Sequence, residues 1–399
     1  MERSELKGRL ESLTACRDIL AQAPMAAACR LLSALDSRAG EPVLSAWGDF
    51  LYSLGEKGFD SPGVWLEHWL LHSDGHWPNA VAQDRSTPAL DECARRDLET
   101  LAALSALDAA SLREEAVRLL PAEARGAAAS LPLWEPYPLI SFEKLREWYR
   151  FHGAGPFAHC RAFLWEGDRL LPVERPDAPA QEELMGYRLQ RAQVEENTRA
   201  LLAGRRVNNV LLFGDSGTGK SATVKSLLSL PGTQELRLVE VSKDGLATLP
   251  QLIRTLAGRR QKFILFIDDL AFDQDDKTYG VLKTILEGAL EPRPANVAVY
   301  ATSNRRNLVR QTFSDRAGDE VDRDETIQEK TALADRFGLR IPYLGLPKGE
   351  YLELVEYLAR RAGLTLSREE LTAQAVRWDA RHPGRSPRTA RQFIDSLTL

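Results

Sequence analysis

The chain has 399 residues, of which 44% are apolar and 27% charged, and its formal net charge is −5. This balance is typical of a soluble globular protein, and the length predicts two or three domains because one hydrophobic core rarely serves so long a chain. No segment approaches the roughly 18 to 20 consecutive apolar residues of a membrane helix, and the opening MERSELKGRL lacks the apolar centre of a signal peptide. We therefore expect a cytoplasmic protein without a membrane partner.

The first part of the chain has the pattern of packed helices. Leucines in LETLAALSALDAASLREEAVRLL recur every three or four residues, which is the spacing of amphipathic helices. Acidic residues outnumber basic ones over 1–185, which argues against an extended phosphate-binding surface there. We expect Trp65, Trp69 and Trp134 in the core rather than in a binding platform. We predict a mainly helical N-terminal domain over 1–155 that holds an unknown protein partner.

A short connection follows this domain. RAFLWEGDRLLPV places two apolar runs around Glu166-Gly167-Asp168, which predicts a hairpin. The next residues, ERPDAPAQEE, are polar and rich in proline, as linkers are. We assign residues 156–185 to a hairpin and linker.

The pattern changes from residue 208 to short apolar runs that alternate with helix-length segments. These runs are NVLLFG, LRLVEV, FILFIDDL and VAVYATSN. Buried parallel strands have this pattern because crossover helices cover both faces of their sheet. We predict an α/β core with a parallel sheet over 186–345, followed by a helical lid over 346–399.

The stretch GDSGTGKS fits the P-loop pattern G-x-x-x-x-G-K-[ST] and lies between a predicted strand and a helix. Its glycines let backbone N–H groups converge on phosphate oxygens without obstruction by side chains. Lys220 is then expected to reach the β- and γ-phosphates, and Ser221 to ligate Mg²⁺. The residues expected to hold the nucleotide are Gly214, Asp215, Ser216, Gly217, Thr218, Gly219, Lys220, Ser221 and Ala222. The sequence thus predicts a P-loop NTPase.

A second predicted strand, residues 263–267, ends in two acids. They fall at the carboxyl edge of the sheet, where open α/β sheets bind their ligands. Asp268 suits the Mg²⁺ shell together with Ser221, and Asp269 is placed to orient or deprotonate the attacking water. The alternative is that the two acids form a solvated strand end.

From about residue 186 to its end, the chain resembles the AAA+ ATPases. The strand VAVYATSN ends in Asn304, which matches the sensor 1 position of that family. LADRFGLRI resembles the segment with the arginine finger, which implies that Arg336 completes the site of a neighbouring subunit. GRSPRTARQF is similar to sensor 2: Ser386 can cap a helix, so that Arg388 projects from its first turn toward ATP.

Each of these assignments has an alternative. Asn304 is otherwise a turn residue, and Arg336 a surface ion-pair partner. The role of Arg388 is otherwise taken by Arg385 or Arg391.

More closely, the chain is similar to a bacterial AAA+ family catalogued only as a domain of unknown function. The stretches that carry this resemblance are GDSGTGKS, FILFIDDL, ATSNRRNLV and DRFGL, with ENTRALLAGRRVNNVLL ahead of them. The resemblance implies a fold and an ATP site, and no substrate. Many AAA+ members carry Asp-Glu where this chain has Asp268-Asp269, which implies slow or partner-stimulated hydrolysis. VEVSKDGLATLP lacks the aromatic-aliphatic-Gly loop of threading unfoldases, which disfavours a protein-threading motor.

Two histidines suggest a metal site. His68 and His72 lie four residues apart, and imidazoles at that spacing on a helix can share a metal ion. No acid or cysteine is fixed nearby as a further ligand, and the four cysteines of the chain have no paired spacing. We therefore favour ordinary interfacial histidines over zinc ligands.

Two charged regions are open to a functional interpretation. The acidic stretch SDRAGDEVDRDETIQE, residues 314–329, is either a solvated loop or a segment ordered across a subunit interface. Several arginines make the lid basic, as a nucleic-acid interface would be. Phosphate sensing and surface solvation explain them as well, so we disfavour nucleic acid as a partner.

These expectations leave three classes of function. The first is an ATPase that uses ATP and Mg²⁺ at a subunit interface to remodel or switch a protein partner, acting as a homo-oligomer with shared sites. The second is a nucleic-acid-associated loader of the initiator or helicase-loader type. The third is an ATP-binding scaffold with little turnover. The complete catalytic set favours the first.

Overall fold

The computed structural model describes residues 3–37, 40–272, 278–287, 293–304, 333–382 and 384–398. The chain divides into two compact units, Met1–His159 and Cys160–Leu399. The acidic stretch 314–329 lies outside the described residues.

The first unit is helical. Its α-helices are α1 (Arg3–Glu11), α2 (Ala23–Asp36), α3 (Gly40–Glu56), α4 (Pro62–His72), α5 (His76–Ala82), α6 (Pro88–Ser105), α7 (Ala109–Leu119), α8 (Arg125–Ala129), α9 (Phe142–His152) and α10 (Pro156–His159), with 3₁₀ turns at Arg17–Ala21 and Ala122–Ala124. Capping side chains determine where several of these helices begin. The Asp108 carboxylate accepts the N–H groups of Ala110 and Ser111 ahead of α7, and Thr87 accepts the N–H of Leu90 ahead of α6.

Tryptophans organise the core of this unit. Trp65 and Trp134 are buried, and Trp69 is partly buried against the same core, so the expectation that these indoles are core residues is confirmed. The Trp134 ring lies 5.1 Å from that of Trp47 and 5.3 Å from that of Phe50. Such aromatic contacts bury large areas in a domain whose other core residues are mostly Ala and Leu.

The second unit contains the predicted sheet. Its strands are β1 (Ala162–Glu166), β2 (Arg169–Val173), β3 (Val210–Gly214), β4 (Leu236–Val241), β5 (Lys262–Ile267), β6 (Val297–Ser303) and β7 (Leu339–Tyr343). Its α-helices are α11 (Arg188–Leu202), α12 (Lys220–Lys225), α13 (Leu249–Leu256), α14 (Thr278–Glu287), α15 (Lys348–Arg361), α16 (Arg368–Arg381) and α17 (Pro387–Leu397), with 3₁₀ turns at Gln181–Glu183, Ser226–Ser229 and Asp244–Leu246.

Among the described residues the strands form one sheet in the order β2-β1-β4-β5-β6-β3-β7. All neighbours are parallel except β1 and β2, which form an antiparallel hairpin. Strands β3 to β6 are mostly apolar and almost fully buried, as is typical of strands covered on both faces. The predicted class, an α/β P-loop NTPase core with a C-terminal helical lid, preceded in the chain by a mainly helical N-terminal part, is confirmed.

Two features of the sheet were not foreseen. The predicted hairpin extends the sheet, because β1 pairs with β4 in the register Ala162↔Leu238, so it belongs to the layer that we expected to begin at residue 186. Strand β7 was not predicted, because its sequence LRIPY is short, carries a proline and buries only alternate residues well. It pairs with β3 and so flanks the P-loop strand.

The lid consists of α15, α16 and α17. Their packed residues include Tyr351, Leu371 and Phe393, which are all buried. The predicted cap of the last helix is confirmed: Ser386 accepts the N–H of Thr389, and a proline occupies the first turn. Arg388 therefore lies in the first turn of α17. Within the part of the chain that the structure describes, we found no helix with both the length and the apolar character needed to cross a bilayer.

Three histidines of the first unit form a stack. The rings of His68 and His72 on α4 lie 3.9 Å apart, and His72 lies 3.5 Å from His159 on α10. No described group of three or more His, Cys, Asp or Glu side chains is arranged to hold a metal ion. His68 and His159 are exposed residues whose rings are partly desolvated by the neighbouring side chains, and this desolvation, reinforced by the nearby imidazoles, lowers the pKa of both.

The histidine stack predicts a pH-dependent stability. Because the folded-state pKa of His159 is lowered, the unfolded chain binds its proton first as the pH falls below about 6.5. The free energy of unfolding is therefore expected to decrease between pH 7.5 and 5.5, and by less in His159→Gln. Urea denaturation followed by tryptophan fluorescence measures this. His76→Gln, an exposed histidine outside the stack, is the control, and an equal loss in parent and His159→Gln would contradict the prediction.

Candidate functional site

The P-loop, Asp268, Asp269 and Asn304 lie at one edge of the sheet. Strands β5, β6 and β3 are adjacent, and their carboxyl ends lead to Asp268, Asn304 and the P-loop. From β3 the chain crosses to β4, which lies beyond β6 and β5, and from β6 it crosses to β7 on the opposite side of β3. The connections that follow β3 and β6 therefore run in opposite directions across the sheet. Such a divergence is where open α/β sheets bind their ligands.

The P-loop has the backbone that its glycines predict. Gly214, Gly217 and Gly219 all have positive φ, at 133°, 76° and 92°. A Cβ on Gly214 would lie 2.3 Å from the carbonyl oxygen of Tyr343 in β7, so no side chain fits. The close approach also lets the N–H of Asp215 donate to that oxygen at 2.9 Å. The loop is thus fixed to the strand beside it.

Lys220 is the first residue of α12 and is buried. Its ammonium donates to the carbonyl oxygens of Gly214 at 3.0 Å and Asp215 at 2.6 Å, and to Asn304 Oδ1 at 2.9 Å. Burial lowers the pKa of Lys220, while three nearby carboxylates, led by that of Asp215, oppose the shift by favouring the charged form. A cation is therefore held at the centre of the site.

The two acids after β5 face this cation. Ser221 Oγ donates to Asp268 Oδ1 at 2.7 Å, and Asn304 Nδ2 donates to Asp269 Oδ1 at 2.8 Å. Asn304 therefore links Lys220 and Asp269 through the two ends of one amide. Serine and carboxylate oxygens are hard ligands that suit Mg²⁺, so the donor set at Ser221 and Asp268 fits that ion.

The lid contributes arginines from the other side of the loop. Arg388 Nη1 lies 3.4 Å from Ser216 Oγ, and its backbone N–H donates to the Gly217 carbonyl oxygen at 3.3 Å. Arg391, one turn further along α17, also lines the cavity. Arg385 instead forms an ion pair with Asp379 at 2.8 Å. Of the three arginines considered for the lid contact, Arg388 and Arg391 face the cavity.

These groups surround a cavity of about 500 Å³. Part of its wall was not predicted from the sequence. This part comprises Glu183, Leu184, Met185, Gly186, Tyr187, Arg191, Thr223, Thr302, Tyr343 and Gln392. The Tyr187 and Tyr343 rings stack at 4.8 Å, and Tyr187 OH donates to the Leu344 carbonyl oxygen at 2.6 Å. A local signal existed in Gly186-Tyr187, a turn with two positive φ angles just before α11.

Arg336 lies elsewhere. Arg336 is exposed and does not line the cavity. Its backbone N–H donates to the Leu333 carbonyl oxygen at 3.2 Å. The neighbouring Asp335 pairs with Arg340 at 2.8 Å. Within one chain, Arg336 is therefore not part of the site, and its role as a finger stays a prediction.

Comparison with known families assigns the chain to one of them. Residues 158–398 match the family described as "Protein of unknown function (DUF815)". The chain belongs to the DUF815 family. The resemblance to a family catalogued only as a domain of unknown function is thereby confirmed. No curated protein matches the chain.

Solved structures similar to this DUF815 protein include several of RuvB from Thermotoga maritima. One, titled as a mutant, and another, titled as a Holliday junction branch migration motor, each have a TM-score of 0.37 and 15% identity. Each alignment covers 54% of this chain and 63% of the other, so this chain spans less than two thirds of those proteins. A further RuvB variant has a TM-score of 0.34 at 13% identity, over 55% of this chain and 72% of that one.

The contact between P-loop and lid predicts a specific effect of a glycine substitution. A Cβ on Gly217 would lie 2.9 Å from Arg388 Cβ, at a φ of 76°. We expect Gly217→Ala to displace α17 and to weaken the binding of a fluorescent ATP analogue about tenfold or more, which corresponds to about 1.4 kcal/mol or more.

Gly232→Ala is the matched control. Gly232 has a φ of 78°, but a Cβ there would meet only the Arg199 side chain, at 4.0 Å. Both variants are expected to lose about 1–2 kcal/mol of stability from the left-handed backbone. Equal affinity for the analogue in the two variants would show that the lid contact does not matter for binding.

Proposed function

We propose that this DUF815 protein is an AAA+ ATPase that binds ATP with Mg²⁺ and hydrolyses it at an interface between subunits. The observation that carries the proposal is the hydrogen-bonded set of Lys220, Asn304 and Asp269 beside the Ser221–Asp268 pair, at the carboxyl edge of three adjacent strands. A cation, a pair of hard oxygen ligands and a carboxylate that can accept a proton are the parts that phosphoryl transfer to water needs.

The P-loop would hold the triphosphate. The Lys220 ammonium donates to the carbonyl oxygens of Gly214 and Asp215. Phosphate oxygens are stronger acceptors and can replace these carbonyl oxygens. Arg388 and Arg391 add positive charge from the lid side. Leu184 and Met185 supply an apolar wall suited to a purine ring.

Ser221 and Asp268 would hold the metal ion. Bound Mg²⁺ would neutralise charge on the phosphate oxygens during transfer. Ser221 Oγ donates to Asp268 Oδ1 at 2.7 Å, so the hydroxyl and the carboxylate lie close enough to face one ion once Ser221 releases that hydrogen bond.

Asp269 and Asn304 would act on the attacking water. The Asp269 carboxylate is exposed at the cavity and accepts the Asn304 amide at 2.8 Å, which fixes its orientation. It is then placed to orient a water molecule and to accept its proton. Asn304 would lie beside the γ-phosphate because its other end contacts Lys220.

The position of Arg336 supports a shared site. It is exposed and outside the cavity of its own chain, so a role as arginine finger requires a neighbouring subunit. A finger contributes on the order of 10³- to 10⁵-fold in rate, so an isolated chain should be almost inactive. The proposal therefore includes a homo-oligomer in the cytoplasm that acts on a protein partner held by the helical N-terminal unit.

Nucleic acid is a weaker candidate partner, because part of the basic lid is already paired. Arg385 contacts Asp379 at 2.8 Å, and Arg368 contacts Glu356 at 2.7 Å. These ion pairs reduce the positive charge available to a phosphate backbone.

The shared site predicts how turnover depends on protein concentration. We expect the specific ATPase activity to rise with the concentration of the chain as subunits associate. Arg336→Ala should bind ATP with the affinity of the parent and lose roughly 10³-fold or more of the rate, within the order of magnitude known for such fingers. Steady-state phosphate release, measured over a wide concentration range, tests both expectations.

Arg377→Ala, an exposed arginine on α16, controls for the loss of one positive charge and should keep the parent activity. Activity that is independent of concentration and unchanged in Arg336→Ala would contradict the shared site. Binding without turnover at any concentration would favour an ATP-binding scaffold instead.

A further inference from the structure

Thr302 on β6 joins the two acids of the candidate site. Its side chain is buried, with 2% of the residue exposed, and it precedes Asn304 by two residues in the chain. Its hydroxyl donates a short hydrogen bond to Asp268 Oδ1 and accepts the backbone N–H of Asp269 at 2.9 Å. A hydroxyl has one proton to donate and lone pairs to accept, so both functions of this one group are used.

The Asp268 carboxylate is held from one side. Thr302 Oγ1, Ser221 Oγ and the N–H of Asp269 all donate to its Oδ1, the last two at 2.7 and 3.2 Å. Oδ2 takes part in none of these three bonds. These hydrogen bonds hold the carboxylate through Oδ1, and the direction of Oδ2 follows from the position of Oδ1.

The backbone of Asp269 needs support. Its φ of 48° lies in the left-handed region, which is unfavourable for a residue with a Cβ. Strand β6 holds the turn in place: besides the Thr302 contact, the N–H of Leu270 donates to the Thr302 carbonyl oxygen at 2.7 Å. Ser303 Oγ donates to the Leu270 carbonyl oxygen at 2.8 Å. Thr302 therefore contacts this turn through both its backbone and its side chain.

We propose that Thr302 is a positioning residue that orients the Asp268 carboxylate toward the metal ion and the Asp269 carboxylate toward the attacking water. This inference rests on the proposed ATPase function. If Ser221 released Asp268 to ligate the ion, the Thr302 hydroxyl and the N–H of Asp269 would be the remaining donors to Asp268 Oδ1, and the Thr302 bond is the shorter of the two. Thr302 would thus constrain this carboxylate both without nucleotide and in the loaded site.

Two substitutions separate the hydroxyl from the rest of the side chain. Thr302→Val keeps the branched shape and removes the hydroxyl, whereas Thr302→Ser keeps the hydroxyl and removes the methyl group. Thr198→Val is the matched control, because Thr198 is a buried threonine whose hydroxyl contacts Val194 and Tyr300 away from the acids. Thr302→Ala is a second variant without the hydroxyl, for use if the valine variant does not fold.

The first measurement is ATP binding as a function of Mg²⁺ concentration. Loss of a hydrogen bond to a charged group is expected to raise the Mg²⁺ concentration at half-saturation about tenfold in Thr302→Val. ATP affinity without Mg²⁺ should stay within about twofold of the parent, because Thr302 does not hold the phosphates. Thr302→Ser and Thr198→Val should match the parent in both.

The second measurement is amide hydrogen exchange in the nucleotide-free chain. The peptide containing Asp269 should exchange faster in Thr302→Val and at the parent rate in Thr302→Ser. A residue that only fills space would change neither the Mg²⁺ dependence nor this exchange in a hydroxyl-specific way.

Two results would overturn the inference while leaving the proposed function intact: a parental Mg²⁺ dependence in the variants without the hydroxyl, or the same defect in Thr302→Ser as in Thr302→Val. A parent chain that binds no ATP with or without Mg²⁺ would instead refute the proposed function, and this inference with it.

Discussion

The Lys220 ammonium contacts Asn304 Oδ1 and two P-loop carbonyl oxygens from a buried position, and the rest of the site is arranged around that charge. A buried ammonium is stable only when hydrogen-bond acceptors surround it and carboxylates lie near. The P-loop supplies the acceptors because its glycines permit positive φ angles. The adjacent ends of β5 and β6 supply the carboxylates and the amide, because parallel strands end at one edge. The cation, the acids and the amide thus depend on one arrangement of strands.

Contacts at the loop also connect the site to the lid. Gly214 lies against the Tyr343 carbonyl oxygen, and the Gly345 N–H donates to Asp215 Oδ2 at 2.7 Å, so the segment after β7 is tied to the P-loop. The same segment continues into the lid, where the N–H of Leu346 donates to the Arg385 carbonyl oxygen at 2.7 Å. Through these hydrogen bonds the P-loop, the segment after β7 and the lid are connected to one another.

The sequence predicts the parts of the structure that depend on local patterns. Four buried strands, the P-loop and the Ser386 cap each have a signature within a short stretch of chain, and all were found where expected. The position of the hairpin and strand β7 were not predictable in this way, because joining a sheet depends on partners distant in the chain: Ala162 pairs with Leu238, and Val210 with Leu339. Thr302 was missed for a related reason. A threonine in a buried strand is ordinary, and only the fold shows that its hydroxyl faces two acids from another strand.

The measurement that tests the central claim most directly is a calorimetric titration of the chain with ATP, with and without Mg²⁺, beside Lys220→Ala. The account predicts one site per chain, tighter binding with Mg²⁺, and an affinity at least about tenfold lower in Lys220→Ala, because a hydrogen-bonded charge on the phosphates is lost. Circular dichroism of the variant shows whether its fold is retained. Equal affinity in the folded Lys220→Ala chain, or no heat of binding in the parent, would contradict the assignment of this edge of the sheet as a nucleotide site.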